Sequence, residues 1–168
     1  MHLYLIRHAS AADAPEGPVP EGLPEGVDPS DAARPLTQRG ARRFASVVQG
    51  LANAGISFDR LYYSPMIRAV QTAELLEQLL DGDSMVSPHL AAAPTELALR
   101  TFTGDRVALV GHEPWLGELL GLLTLDSAEA GRAYTWKKGG VAWLEGELAF
   151  GGMTLRGFWA PKMLRPER

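Results

Sequence analysis

The sequence predicts a three-layer α/β protein with a mostly parallel central sheet, helices on both faces and an antiparallel C-terminal hairpin. Three observations predict it. Short apolar runs alternate with helix-patterned segments, which is the order of a strand–helix–strand fold. The runs at 2–6 and 106–110 are apolar after their first residue, as strands covered on both faces require. Two alternating segments near the C-terminus flank a Gly-Gly pair, the pattern of a hairpin.

Residues 2–6 are short and apolar and end against charge, so they read as a buried first strand. Residues 11–35 form a Pro/Gly/acidic stretch with no Lys or Arg before Arg34, a loop long enough to suggest a mobile lid or rim beside a site. Thr37 is placed as a helix N-cap, Phe44, Val47, Val48 and Leu51 recur at helical spacing, and Gly55 ends that helix. Residues 58–63 read as a strand, and Ser64-Pro65 as the cap and first residue of a helix to about Leu80. A short strand at 84–87, a helix from about Pro94 and an apolar strand from Arg106 to Val110 follow. Gly111-His112-Glu113-Pro114 leads into a helix to about Leu123, and 139–148 with 152–159 form the hairpin. No internal repeat interrupts this order, and 168 residues suit one domain, 1–168.

Composition removes several functions. The chain has no cysteine, so a disulfide scaffold, a thiolate nucleophile and cysteine-held metals are excluded. A formal charge of −4 argues against a nucleic-acid partner or an anionic membrane surface. The N-terminus lacks a signal-peptide pattern, and no apolar run has the roughly 18 residues of a membrane span, so a cytoplasmic protein is expected.

Ligands of such sheets bind beyond the carboxyl ends of the strands. Arg7-His8 follows the first strand, Ser64 and Arg68 the second, and Gly111-His112 the fourth, so two histidines and two arginines are expected at one sheet edge. Guanidinium forks match phosphate oxygens, helix N-termini add N–H donors, and an imidazole in line with phosphorus can carry a phosphoryl group. The arginines supply the charge, so no metal and no cofactor are expected. Two histidines without an H-x-x-x-H spacing, beside arginines, are a poor metal site. Singly placed His2 and His89 read as structural, the tryptophans as packing, and Arg42-Arg43 as a solvated helix face.

Five segments carry a resemblance to a known family. Leu5-Ile6-Arg7-His8-Ala9, the run from Ser64-Pro65 through Arg68 to Thr72-Ala73, and Val110-Gly111-His112-Glu113-Pro114 resemble, in order, three motifs of the histidine-phosphatase superfamily. Arg34-Pro35-Leu36-Thr37-Gln38-Arg39-Gly40 and Lys137-Lys138-Gly139-Gly140 resemble its SixA-type phosphohistidine phosphatase branch. The resemblance implies a phosphoglycerate mutase-like fold without a cap subdomain. It implies that His8 is the phosphorylated nucleophile, that Arg7 and Arg68 clamp phosphoryl oxygens, and that His112 donates to another oxygen as an imidazolium. Ser64 would lie at the pocket rim, where a plain helix cap explains it equally well.

The larger relatives protonate a leaving alkoxide with an acid from a helical insertion. Only about ten residues separate the third strand from the next helix here, so that insertion is missing. Glu96 is the nearest candidate acid, near the third position of its helix, where an acid also complements the helix dipole; Glu113 and Asp13 are weaker candidates. Imidazole leaves a phosphoramidate more readily than an alkoxide leaves an ester, because it takes a proton near neutral pH. The expected activity is therefore hydrolysis of phosphohistidine on a phosphotransfer protein in signal transduction. The alternatives are a general phosphatase of small phosphate esters and, third, a non-catalytic phosphate-binding module.

Overall fold

The computed structural model describes residues 1–166, so the last two residues of the expected domain lie outside the described residues. A six-stranded sheet runs in the order β3-β2-β4-β1-β5-β6, with β1 at His2–Arg7, β2 at Phe58–Tyr63, β3 at Leu80–Val86, β4 at Arg106–Gly111, β5 at Val141–Gly146 and β6 at Met153–Trp159. β3, β2, β4 and β1 are parallel; β5 pairs antiparallel with β1, and β6 antiparallel with β5. The expected mixed sheet with its C-terminal hairpin is what forms.

Alternation along the central strands feeds two cores. Leu3 and Leu5 of β1, with Val107 and Leu109 of β4, pack on one face beneath α5 (Trp115–Leu125). Tyr4 and Ile6, with Ala108 and Val110, pack on the other beneath α2 (Gln38–Asn53) and α3 (Ile67–Leu76). Each fully buried aliphatic side chain contributes about 1.5–3 kcal/mol, which explains why these runs show no polar alternation.

In α2, Phe44, Val47, Val48 and Leu51 are buried on one face, and the Thr37 hydroxyl accepts from the Gly40 amide at 2.9 Å. Its C-terminus closes with Gly55 at φ +73°, where Ile56 N–H donates to Leu51 O and Gly55 N–H to Ala52 O, both orphan carbonyls of the last turn.

Three expected boundaries differ. α3 starts at Ile67 rather than Pro65, because Met66 takes the extended backbone of an N-cap (φ −64°, ψ 134°), and its α-helical part ends at Leu76 before a 3-10 turn at Glu77–Leu79. β3 is longer than the expected 84–87; as a sheet edge, its mostly exposed Asp81, Gly82, Asp83 and Ser84 carry no hydrophobic signal. α4 is only Glu96–Leu99, capped by Thr95, which puts Glu96 at its first position instead of the third.

The 11–35 segment is tied down at both ends. Ala12 N–H donates to Pro35 O, the Arg34 Nε to Ala12 O, and Leu36 N–H to the Gln71 side chain. It contains a short helix, α1 (Pro29–Ala32), and Ala32 with Leu23 and Val27 packs on Met66 and Ala91. The segment therefore forms a folded rim against the sheet edge. Among the described residues, no helix is long and apolar enough to cross a membrane.

Candidate active site

Register brings the site residues together. Arg7 of β1 pairs with Gly111 of β4, and Tyr63 of β2 pairs with Val110, so His8, Ser64 and His112 leave the sheet at one level. The His8 turn is pinned on three sides: His8 N–H donates to Gly111 O, Gly139 N–H to the carbonyls of Arg7 and His8, and Ala9 N–H to Thr72 Oγ1 at 3.0 Å. Thr72 in turn donates to Arg68 O, which locks α3 to the turn. Lys137-Lys138-Gly139-Gly140 thus serves backbone geometry. Gly139 holds φ +78°, and a Cβ on Gly140 would crowd the Lys137 carbonyl.

His8 is buried, and its Nδ1 lies 2.7 Å from Ala9 O. A carbonyl only accepts, so Nδ1 carries the hydrogen and Nε2 keeps the free lone pair. Burial pushes the ring's pKa down to about 3, and the nearby Arg68, Arg7 and Lys138 add to the shift against the Ala9 bond. The ring is therefore neutral at physiological pH. Its centroid is 5.1 Å from that of His112.

His112 is also buried, its Nε2 2.7 Å from Ser64 Oγ. Burial, with His8, Arg68 and Arg7 as further causes, holds it well below the ordinary histidine range. An imidazolium, which the resemblance implies, would have to form against this burial and these cations. Ser64 is fully buried, and its hydroxyl meets His112 while also accepting from the Met66 amide at 3.3 Å, just before α3. Arg7 donates through Nη1 to Trp136 O, and Arg68 donates to both Asp31 O and Asp31 Oδ2, at 2.6 and 2.8 Å. Among the described residues, Arg7 Nε and His112 Nδ1 are buried side-chain atoms with no hydrogen-bond partner. Buried polar atoms are seldom left so, and both belong to the cluster that is suited to a tetrahedral oxyanion.

Beside this cluster opens a cavity of about 480 Å³ whose lining includes Arg68, His112, Glu113, Asp31 and Met66. Glu113 is half-buried; burial raises its pKa, partly opposed by Arg7 and by the Gly117 amide bonded to Oε1 at 3.0 Å. Glu96 is exposed and is not part of this lining. Among the described residues no group of His, Asp and Glu has the arrangement of a metal site.

Sequence reasoning brought Arg7, His8, Ser64, Arg68 and His112 to one place, and the structure puts them there. It did not find Asp31, one of six acids in a loop-like stretch, nor the Thr72 and Gly139 contacts. Position inside quoted motifs was the only signal for the last two.

Fold and site together define an α/β protein built to handle a phosphoryl group. Comparison with known proteins agrees: residues 3–92 match the model of the histidine phosphatase superfamily (branch 1). The chain belongs to the histidine phosphatase superfamily. An uncharacterised protein of Picosynechococcus sp. is 31% identical over 149 residues, covering 84% of this chain and 82% of the relative. Among solved structures, the fold is similar to the protein histidine phosphatase SixA complexed with tungstate, at TM-score 0.76 and 21% identity over 98% of this chain and 100% of that one. It is also similar to phosphoserine phosphatase from Entamoeba histolytica in complex with 3-phosphoglyceric acid, at TM-score 0.67 and 18% identity over 97% and 98% of the two chains.

Proposed function

We propose that this phosphatase-family protein hydrolyses phosphohistidine on a phosphotransfer protein of a cytoplasmic signalling system, through a phosphohistidine formed at His8. The observation that carries the reading is the neutral His8 ring, with its hydrogen fixed on Nδ1 and a bare Nε2 among Arg7, Arg68 and His112. In the first step the Nε2 lone pair attacks phosphorus, the substrate's P–N bond breaks, and the leaving imidazole takes a proton from solvent, which the water of the second step gives back. In the second, water attacks the phosphorus on His8, the Nε2–P bond breaks, and inorganic phosphate leaves. Arg7, Arg68 and His112 hold the equatorial oxygens, where transition-state charge collects. Among the described residues no cap subdomain stands over the pocket, and a protein-borne imidazole needs both an open approach and little acid assistance. The fold shared with a protein histidine phosphatase supports this reading.

A second reading, hydrolysis of a small phosphate ester, is favoured by Glu113. Its carboxyl shares a cavity with Arg68 and His112 and is held toward its protonated form by burial. The fold shared with a phosphoserine phosphatase points the same way. Purified protein is assayed against phosphohistidine-bearing phosphotransfer proteins, phosphoserine, sugar phosphates and p-nitrophenyl phosphate. A kcat/KM higher on the phosphohistidine protein than on every ester is expected. Preference for one ester would replace the first reading with the second.

A further inference from the structure

The acidic net charge conceals an uneven layout. Between Asp31 and Asp59 the chain carries Arg34, Arg39, Arg42 and Arg43 and no acid. Between Glu129 and Glu145 it carries Arg132, Lys137 and Lys138, and between Glu147 and Pro166 Arg156, Lys162 and Arg165, again with no acid. The fold gathers six of these in one groove. α2 supplies Arg42 and Arg43, the segment before β5 supplies Lys137 and Lys138, and α6 (Pro161–Leu164) with the residue after it supplies Lys162 and Arg165.

These side chains rim two adjoining cavities of about 340 and 660 Å³ that share Arg43, Lys162 and Arg165. Among the described residues no Asp or Glu lines either cavity, and none of the six forms an ion pair. Cations gathered with no counter-charge raise the local potential and attract an anion.

The groove begins at the nucleophile, since its inner wall is Ala9 and Ser10, the two residues after His8. From Gly40 it follows α2 to Gln49, a distance of about 14 Å at 1.5 Å per residue. That is longer than a single phosphorylated amino acid reaches. On the far side of the catalytic cluster the cavity wall is acidic, with Glu25, Asp28, Asp31 and Glu113. A nucleic-acid strand, negative along its length, would have to cross that wall. A protein whose acidic run stops near its phosphorylated residue would not.

We infer that the α2–α6 groove docks an acidic stretch of the phosphoprotein substrate, a run of Asp and Glu carboxylates on one side of the phosphorylated residue. The inference rests on the phosphoprotein reading of the site. Arginine forks donate bidentately to carboxylates and the lysines add point charges, so the groove sets the orientation in which the phosphoryl group meets His8.

The test uses two labelled peptides with one histidine flanked on one side by glutamates or, as control, by glutamines. Fluorescence anisotropy at low salt measures binding of the unphosphorylated peptides to the intact protein and to R42E/R43E/K162E. The glutamate peptide is expected to bind at least about tenfold more tightly than the control, to lose that advantage in the variant, and to weaken as salt rises. The neutral variant R42Q/R43Q/K162Q should weaken it by less, and circular dichroism checks that both variants are folded. With the phosphorylated peptides, the same preference should appear in KM. Charge-dependent binding without turnover of either phosphopeptide would overturn the phosphohistidine reading and leave the groove standing. Equal binding of the two peptides, binding undiminished in R42E/R43E/K162E, or tighter binding of a single-stranded DNA oligonucleotide would overturn the groove.

Discussion

At His8 one hydrogen bond decides the chemistry, because an acceptor at Nδ1 leaves Nε2 free to attack. His8→Ala is therefore expected to abolish turnover with the fold intact, and residual kcat/KM within about tenfold of the original (1.4 kcal/mol of barrier) would remove His8 as nucleophile. Two glutamates are separated by position. Glu113→Gln keeps an acceptor for the Gly117 amide but loses the acidic proton, so kcat/KM on phosphoserine should fall about 100-fold, with little change on phosphohistidine. Glu96→Gln, at an exposed helix start, should change both by less than about twofold. Asp31 shapes the site from the rim. Burial raises its pKa, but hydrogen bonds from Arg68 and Arg34 outweigh that, so it is charged and holds donors of Arg68. Asp31→Asn removes a negative charge from the phosphate site, and tungstate should inhibit the variant several-fold more tightly. Weaker inhibition would make Asp31 a positioning group for Arg68 instead.

Elements position these residues through backbone contacts that have little tolerance. α3 is hydrogen-bonded to the His8 turn through Thr72, whose hydroxyl accepts from Ala9 and donates to Arg68 O inside the protein. Thr72→Val preserves shape and strands the Ala9 amide, at a cost of about 1–3 kcal/mol. Thermal unfolding should drop by several degrees, since about 1 kcal/mol moves a domain of this size by about 2–4 °C. Turnover should fall with it, because the nucleophile's turn is no longer fixed. An unchanged melting temperature would show that the hydroxyl does not carry the contact. α2 meets the same turn at Gly40, where any Cβ would overlap the Ser10 carbonyl oxygen. The first turn of α2 thus packs backbone against backbone two residues past the nucleophile.

Across the whole molecule, the buried histidines link stability to pH. Burial depresses both His8 and His112, so between the unfolded value near 6.5 and the folded value, about 3 for His8, the unfolded chain binds more protons. Their contribution is complete above about pH 6.5 and is lost as pH falls toward the folded values. The melting temperature should decline from pH 7 to pH 4, and His8→Asn should make the decline shallower. Asp31, depressed by its arginines, adds a loss at lower pH, as pH falls from the ordinary carboxylate value toward its depressed folded one. Equal slopes in the two proteins would mean that His8 does not titrate as its burial requires.

The sequence by itself determined the sheet, its hairpin and the strand ends that deliver Arg7, His8, Arg68 and His112, because apolar runs and turn residues are local signals. Thr37 and Gly55 marked α2 for the same reason: a cap and a left-handed turn are chosen by the residues that form them. Tertiary structure alone decided that the Ser64 hydroxyl also meets His112, since a serine before proline signals only a local cap and His112 lies 48 residues away. It also decided that edge strand β3 extends through polar residues, whose pairing with β2 is backbone-driven. The length and composition of the 11–35 stretch suggested a rim, but its fixed form depends on pairing Asp31 with an arginine 37 residues on. Charge layout follows the same division. Acid-free segments can be read along the chain, but only the folding of α2 against α6 and the segment before β5 turns them into one groove, because proximity between distant segments is a property of packing.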